Sequence, residues 1–176
     1  MLTTPASATT HAYLQQLYSA RIVAADVDAV TDAVLTASRA LVGVAARSLA
    51  VVDADVTLPQ YRALVVLAAR GPRLVGELAD ELSIHPSTAT RLCDRLVAKK
   101  LVRRAASRDS RREIEVWLAA RGRAVVERVS EIRRREIATI VERVPAKLWQ
   151  PTVRALNAFA EAAGELPQQA WTLGWS

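Results

Sequence analysis

The sequence of 176 residues predicts a mainly α-helical chain with one small two-stranded β-hairpin in its second half. Three observations carry this. Apolar residues recur three and four apart over most of the length, the spacing of helices with one buried face. Between residues 101 and 118 that spacing gives way to short alternating runs, Leu101-Val102-Arg103-Arg104 and Glu113-Ile114-Glu115-Val116-Trp117-Leu118. The net charge of +6 is also confined: residues 85–112 hold nine basic side chains against Asp94 and Asp109, while 1–84 sum to −2 and 113–176 to +1. A solvated face mixes signs, so a one-signed block points to a polyanionic partner.

Composition narrows the class. A hydrophobic share of 51% is enough for a core and argues against disorder along the whole length. No unbroken apolar run approaches the ~18 residues of a membrane span. The leader MLTTPASATTH has no Lys or Arg and no apolar stretch behind it, so no signal peptide is expected. With one cysteine an internal disulfide is excluded, and one cysteine with two histidines makes no recognisable zinc site. The expectation is a cytoplasmic protein without cofactor or metal.

The elements follow in order. Residues 1–10, rich in Thr, Ser, Ala and Pro, are expected to be loose. Leu14, Leu17, Tyr18, Ile22 and Val23 mark a short helix from Tyr13. A second, Ala-rich helix is expected over about 27–51, with Val27, Val30, Val34, Leu41, Val44 and Leu49 needing an apolar partner. Thr57-Leu58-Pro59-Gln60 starts the next: Thr57 caps, Pro59 suits the first turn, and Gln60 takes the reciprocal capping position. Gly71-Pro72 ends it. Leu74–Leu82 is a short helix stacking Leu74, Leu78 and Leu82, Ser83–Pro86 a turn, and Pro86 opens a helix running to about Lys99. The two strands enclose a polar, basic tip at Ala105–Arg112. A long helix at about 120–143 turns Val125, Val129, Ile132, Ile137, Ile140 and Val144 inward. Pro145 stops it, and a last helix covers about 146–163.

Helix, tight turn, helix and hairpin, with the charge on the last two pieces, is a layout for reading DNA. In the helix from Pro86, Ala89, Leu92, Cys93, Leu96 and Val97 form the inner face. Thr88, Arg91 and Arg95 share another, with Ser87, Thr90 and Asp94 alongside. Short hydroxyl residues let the first turn enter a major groove, and Arg91 has the planar fork suited to a guanine edge. The tip, Ser107-Arg108-Asp109-Ser110-Arg111-Arg112, would lie over the next minor groove, whose narrow, negative floor attracts arginine.

Taken together, Leu58-Pro59-Gln60-Tyr61, Val75-Gly76-Glu77-Leu78-Ala79, His85 to Leu92, Asp94-Arg95-Leu96, Lys100-Leu101-Val102 and Arg108-Asp109-Ser110-Arg111-Arg112 resemble the MarR family of winged helix-turn-helix regulators. The resemblance covers about residues 27–163. It implies a homodimer with four segments: an N-terminal extension (1–25), a dimerisation helix (26–56), a winged helix-turn-helix DNA-binding lobe (57–118), and C-terminal dimerisation helices with a tail (119–176). It places Ser87, Thr88, Thr90 and Arg91 on bases or phosphates and Arg111 in the minor groove. Arg95, Arg108 and Arg112 join them as DNA-binding candidates, and Asp109 orients the wing. A small aromatic effector between dimer region and lobes is also implied. Three departures stand out: Ala119-Ala120-Arg121-Gly122 lacks a capping Ser or Thr, the extension is long, and the tail bearing Trp171 and Trp175 has no counterpart.

The reading is thus a dimeric regulator of double-stranded DNA, of the repressor kind, although an activator could share every residue named. Beside it stand plainer assignments. Cys93 is expected to pack as a small hydrophobe. His85 is expected to cap a helix or neighbour a phosphate, Trp117 to pack in the core, and one of Arg103 and Arg104 to face DNA. No carboxylate pair, Ser-His-Asp set or Gly-rich phosphate loop is present, so an enzyme is not expected. A protein–protein adaptor built on a winged helix is the alternative.

Overall fold

No glycine or proline interrupts residues 6–42, and the backbone there forms one helix. The computed structural model describes residues 6–52, 55–107, 110 and 113–167, with 6–25 described as backbone. Helix α1 (Ala6–Val52) replaces the two helices expected at 13–23 and 27–51 and takes in Ala6–Thr10, which were expected to be loose. The acidic stretch around Asp26 and Asp28 looks like a boundary, but without a breaker the intrahelical ladder continues. Within α1, Asp26–Val52 is long and apolar enough, by length and composition, to cross a membrane. This corrects the search for an unbroken run, because scattered Asp and Arg residues interrupt the run without removing its apolar average.

Two units are distinguished, Met1–Gly43 and Val44–Ser176. In the first, Val27, Val30, Leu35, Leu41 and Val42 are exposed. Thr31 and Ser38 hydroxyls donate back to the carbonyls of Val27 and Leu35, both at 2.8 Å.

The second unit holds the remaining elements. Helix α2 (Leu58–Arg70) buries Ala63 to Ala68 without a break and is its central helix. The expected cap is present in both directions: Gln60 N–H donates to Thr57 Oγ1 (3.4 Å) and Thr57 N–H to Gln60 Oε1 (3.2 Å). Gly71, at φ 77°, ends the helix where other residues would be strained. A two-residue strand β1 (Arg73–Leu74), which the sequence does not reveal, precedes α3 (Val75–Glu81) and α4 (Pro86–Ala98).

Strands β2 (Val102–Ala106) and β3 (Ile114–Leu118) form the hairpin, and β1 adds to the far side of β3, giving an antiparallel sheet ordered β1-β3-β2. Arg73 pairs with Val116, so β1 exists only through contact with β3. Helix α5 (Ala120–Val141) starts without a side-chain cap, as the Ala119-Ala120 sequence implied. Gly122 makes that start possible, since a Cβ there would lie 2.0 Å from the Leu101 carbonyl oxygen. Val125 and Val129 of α5 are buried as expected, but Ile140 is 44% exposed because the last turns of α5 leave the core. A 3-10 turn (Ala146–Leu148) leads into α6 (Trp149–Ala162), and the Trp149 indole N–H donates to the Val144 carbonyl (2.9 Å).

The core of this unit joins α2, α3, α4, β3 and the first half of α5 through Leu64, Leu78, Leu96, Leu101, Val116 and Val126. Ser48 and Leu49 at the end of α1 are buried as well.

Candidate nucleic-acid interface

Helix α4 is positioned by the turn before it. Ser83 takes a left-handed φ of 52°, and Ser83 N–H and Ile84 N–H donate to the carbonyls of Asp80 and Ala79, both at 3.0 Å. His85 is the N-cap: its Nδ1 accepts from the Ser87 backbone N–H (3.2 Å) and lies 2.9 Å from Ser87 Oγ. Pro86 fills the first helical position, where no backbone N–H is needed. The capping role expected for His85 is therefore realised.

The two faces of α4 separate as the periodicity implied. Ala89, Leu92, Cys93 and Leu96 are buried and Val97 half-buried. Ser87, Thr88, Thr90, Arg91 and Arg95 are all exposed. The Thr90 hydroxyl donates to the Pro86 carbonyl (3.0 Å), leaving its lone pairs outward. Asp94, the one acid on this helix, is paired with Arg104 of β2. That pair decides which of Arg103 and Arg104 is committed: Arg104 answers Asp94, and Arg103 projects outward, exposed. Among the described residues neither Arg91 nor Arg95 has an ion-pair partner, so their charge is unopposed.

Lys99 has a role the sequence did not disclose. Its ammonium donates to the Asp55 carbonyl and to Gln60 Oε1 (3.1 Å), fastening the end of α4 to the capping box of α2. The signal lies in the buried Gln60, whose amide oxygen serves both partners. Of the basic residues in 85–112, Lys99 and Arg104 are thus structural, while Arg91, Arg95, Lys100 and Arg103 face solvent.

The hairpin continues beyond the paired strands. Ser107 N–H donates to the Glu113 carbonyl (2.8 Å), closing the base of the tip. The wing candidates Arg108, Arg111 and Arg112, together with Asp109, lie outside the described residues, as do Trp171 and Trp175 of the tail. Cys93 meets the hydrophobe expectation. It is 1% exposed, and burial pushes its thiol up, with Asp94 adding to the rise and Arg104 opposing it. Its thiolate is disfavoured.

The comparisons with known proteins agree with this geometry. The model of the MarR family matches residues 54–113, from shortly before α2 to the residue ahead of β3. The crystal structure of RV1404 from Mycobacterium tuberculosis is 48% identical, with a TM-score of 0.75 over 81% of this chain and 97% of that one. A MarR family protein from Bacillus stearothermophilus is 25% identical, with a TM-score of 0.63, covering 90% of this chain and 99% of that one. An uncharacterised HTH-type transcriptional regulator of Bacillus subtilis (strain 168), YpoP, is 28% identical over 81 residues. That match takes in 46% of this chain and only 57% of the relative's length. Members of the matched family are transcriptional regulators rather than enzymes. The chain belongs to the MarR family, transcriptional regulators built on a winged helix-turn-helix, DNA-binding fold.

Proposed function

We propose that this chain is a homodimeric, cytoplasmic repressor that binds a palindromic operator in double-stranded DNA, one lobe per half-site. The outward face of α4 carries the reading. Ser87, Thr88, Thr90, Arg91 and Arg95 are exposed together, and the nearby acid is neutralised by Arg104. Such a face enters a major groove with small side chains first and a guanidinium behind them. Arg111 inserts into the neighbouring minor groove, and Arg108 and Arg112 hold the backbone on either side.

Dimerisation accounts for the apolar surface elsewhere. Trp149, Val153, Leu156 and Phe159 follow one another at helical spacing on α6, each between 43% and 56% exposed. A second copy covering this face and the apolar side chains of α1 removes them from water, at ~25 cal/mol per Å². The membrane-length stretch of α1 receives the same reading, because its last turns place Val44, Ser48 and Leu49 in a protein core rather than in lipid. Residues 26–56 and 119–176 then form the dimer region and 57–118 the DNA lobe, with 1–25 as an added arm. A small aromatic effector between them would release DNA by changing the lobe spacing. A mismatch of ~3–4 kcal/mol weakens binding several-hundred-fold.

The test is a fluorescence-anisotropy titration with DNA from upstream of the chain's own gene at two salt concentrations, alongside light scattering. Binding should weaken steeply with salt and require a palindrome, with two chains per site. Arg91→Ala should lose ~1–3 kcal/mol and relax specificity at its base, and Arg111→Ala should lose a similar amount. Binding no tighter than to random DNA, unchanged in both variants, would replace this reading with the adaptor.

A further inference from the structure

Helix α6 buries no residue, so packing within the chain does not fix its place against the lobe. The ties lie instead at the residues that leave it. Gly164 N–H and Glu165 N–H donate to the carbonyls of Glu161 and Ala160, both at 3.0 Å, with Gly164 at φ 70°. This closing turn suits glycine and leaves the Gly164 carbonyl outside the helical ladder. Arg70, the last residue of α2, donates to that carbonyl from Nη2 (2.9 Å) and pairs through Nε with Glu81 Oε2 (3.0 Å). Glu81 is the last residue of α3, and Ser83, at φ 52°, lies in the turn that leads on into α4. One guanidinium thus joins the end of α2, the end of α3 and the exit of α6.

Among the described residues Arg70–Glu81 is the most shielded ion pair, 31% and 28% exposed, so salt screens it least. The neighbouring pair of Arg62 with Glu165 is 46% and 45% exposed and adds little. A guanidinium presents Nε–H and Nη–H in one rigid plane and holds two acceptors in fixed directions, which an ammonium cannot do. Leu78 of α3 and Leu96 of α4 are 0% exposed in one core, so the two helices shift together. A tilt of α3 is therefore a tilt of the helix that faces DNA. We infer that Arg70 is a positioning residue for DNA recognition: it holds the exit of α6 and the helix-turn-helix at one setting, and so fixes the half-site spacing that the regulator accepts. The inference rests on the proposed dimer, in which α6 belongs to the shared region and each lobe takes one half-site. The role requires no contact between Arg70 and DNA.

The experiment is fluorescence anisotropy of the full chain on duplexes carrying the palindrome from upstream of its own gene, with the centre unaltered or changed by one base pair either way. One base pair turns the half-sites against each other by about a tenth of a turn. The unaltered chain should lose about tenfold or more on the altered centres. Arg70→Gln and Arg70→Lys should cut that penalty to about threefold or less, with Glu81→Gln acting in the same direction. Discrimination against a base change inside a half-site should stay as it was, and Arg62→Gln should alter neither. Melting temperature and light scattering verify that the variants are folded and dimeric; if the Arg70 variants unfold, Glu81→Gln carries the test. Loss of affinity by the same factor on every duplex would overturn the inference, because a lobe that is merely less stable binds all of them less. So would an unaltered chain indifferent to the centre, or a full spacer penalty in all three variants; the dimeric reading survives each of these results. An unaltered chain with no preference for a palindrome would remove that reading and this inference with it.

Discussion

Helices α4 and α6 are similar in length and both amphipathic, yet their apolar faces meet opposite fates. On α4 every inner side chain finds a partner within its own chain: Ala89 and Leu96 are 0% exposed and Cys93 is 1%. On α6 no residue is buried at all, and Leu156 and Phe159 remain 56% and 53% exposed. The polar faces differ too. That of α4 carries unopposed arginines beside short hydroxyl residues, a surface that answers to an external polyanion. The residues just past α6 are fastened to α2: Arg70 donates to the Gly164 carbonyl (2.9 Å), and Arg62 pairs with Glu165. One helix is complete except for a ligand on its outer face. The other lacks part of its own core. The lobe should therefore stand on internal packing, whereas in the proposed dimer α6 would stand on a second copy.

The sharpest way to break the α4 side is at Gly122. Replacing a helical glycine with alanine ordinarily gains up to ~1 kcal/mol. Here the new Cβ would meet the Leu101 carbonyl oxygen at 2.0 Å, a backbone atom that cannot rotate aside. That carbonyl also accepts from Ala119 N–H at 3.0 Å, so both the start of α5 and the entry to β2 must shift. Gly122→Ala should cost ~2–4 kcal/mol in a denaturant titration. Gly76→Ala, whose Cβ has nothing within 4 Å, should be neutral or slightly stabilising. Equal effects at the two positions would show that the junction yields, and that the lobe is less rigid than its packing implies.

The comparison itself is tested by a matched pair. Leu96→Ala empties a site that is 0% exposed and should destabilise by ~2–5 kcal/mol without changing the assembly. Leu156→Asp places a charge on the open face of α6. It should leave the helix content intact and halve the mass seen by light scattering, with DNA affinity falling along with the dimer. A Leu156→Asp chain that keeps its partner would move the interface off α6.

How legible these two regions were in the sequence follows from the range of their interactions. The capping box Thr57–Gln60, the His85 cap and the division of α4 into faces are set by residues a few positions apart, and each was readable. Strand β1 was not, because two residues carry no period and owe their conformation to Val116 and Glu115, some forty positions away. The allotment of Lys99 to Gln60 and of Arg104 to Asp94 is tertiary, so the sequence could expect one of Arg103 and Arg104 to face DNA without saying which, and gave Lys99 no role of its own. The exposure of Ile140 was missed for a related reason: periodicity identifies an apolar stripe but not whether the same chain covers it.

The smallest effect concerns Cys93, which tests whether the inner face of α4 is closed. Burial raises its thiol, so the folded state favours the protonated form. Its contribution to stability is fully present below the unfolded thiol value, ~8.5, and declines as pH rises through the higher folded value. At pH 8 the native chain should react with iodoacetamide at least about tenfold more slowly than the urea-unfolded chain, since only the thiolate is nucleophilic. Cys93→Ala removes one small buried group and should cost about 1 kcal/mol, with DNA affinity unchanged. Fast labelling of the native chain would mean that α4 opens at its inner face. The contrast with α6 would then be one of degree, with both helices depending on something outside the lobe to hold them in place.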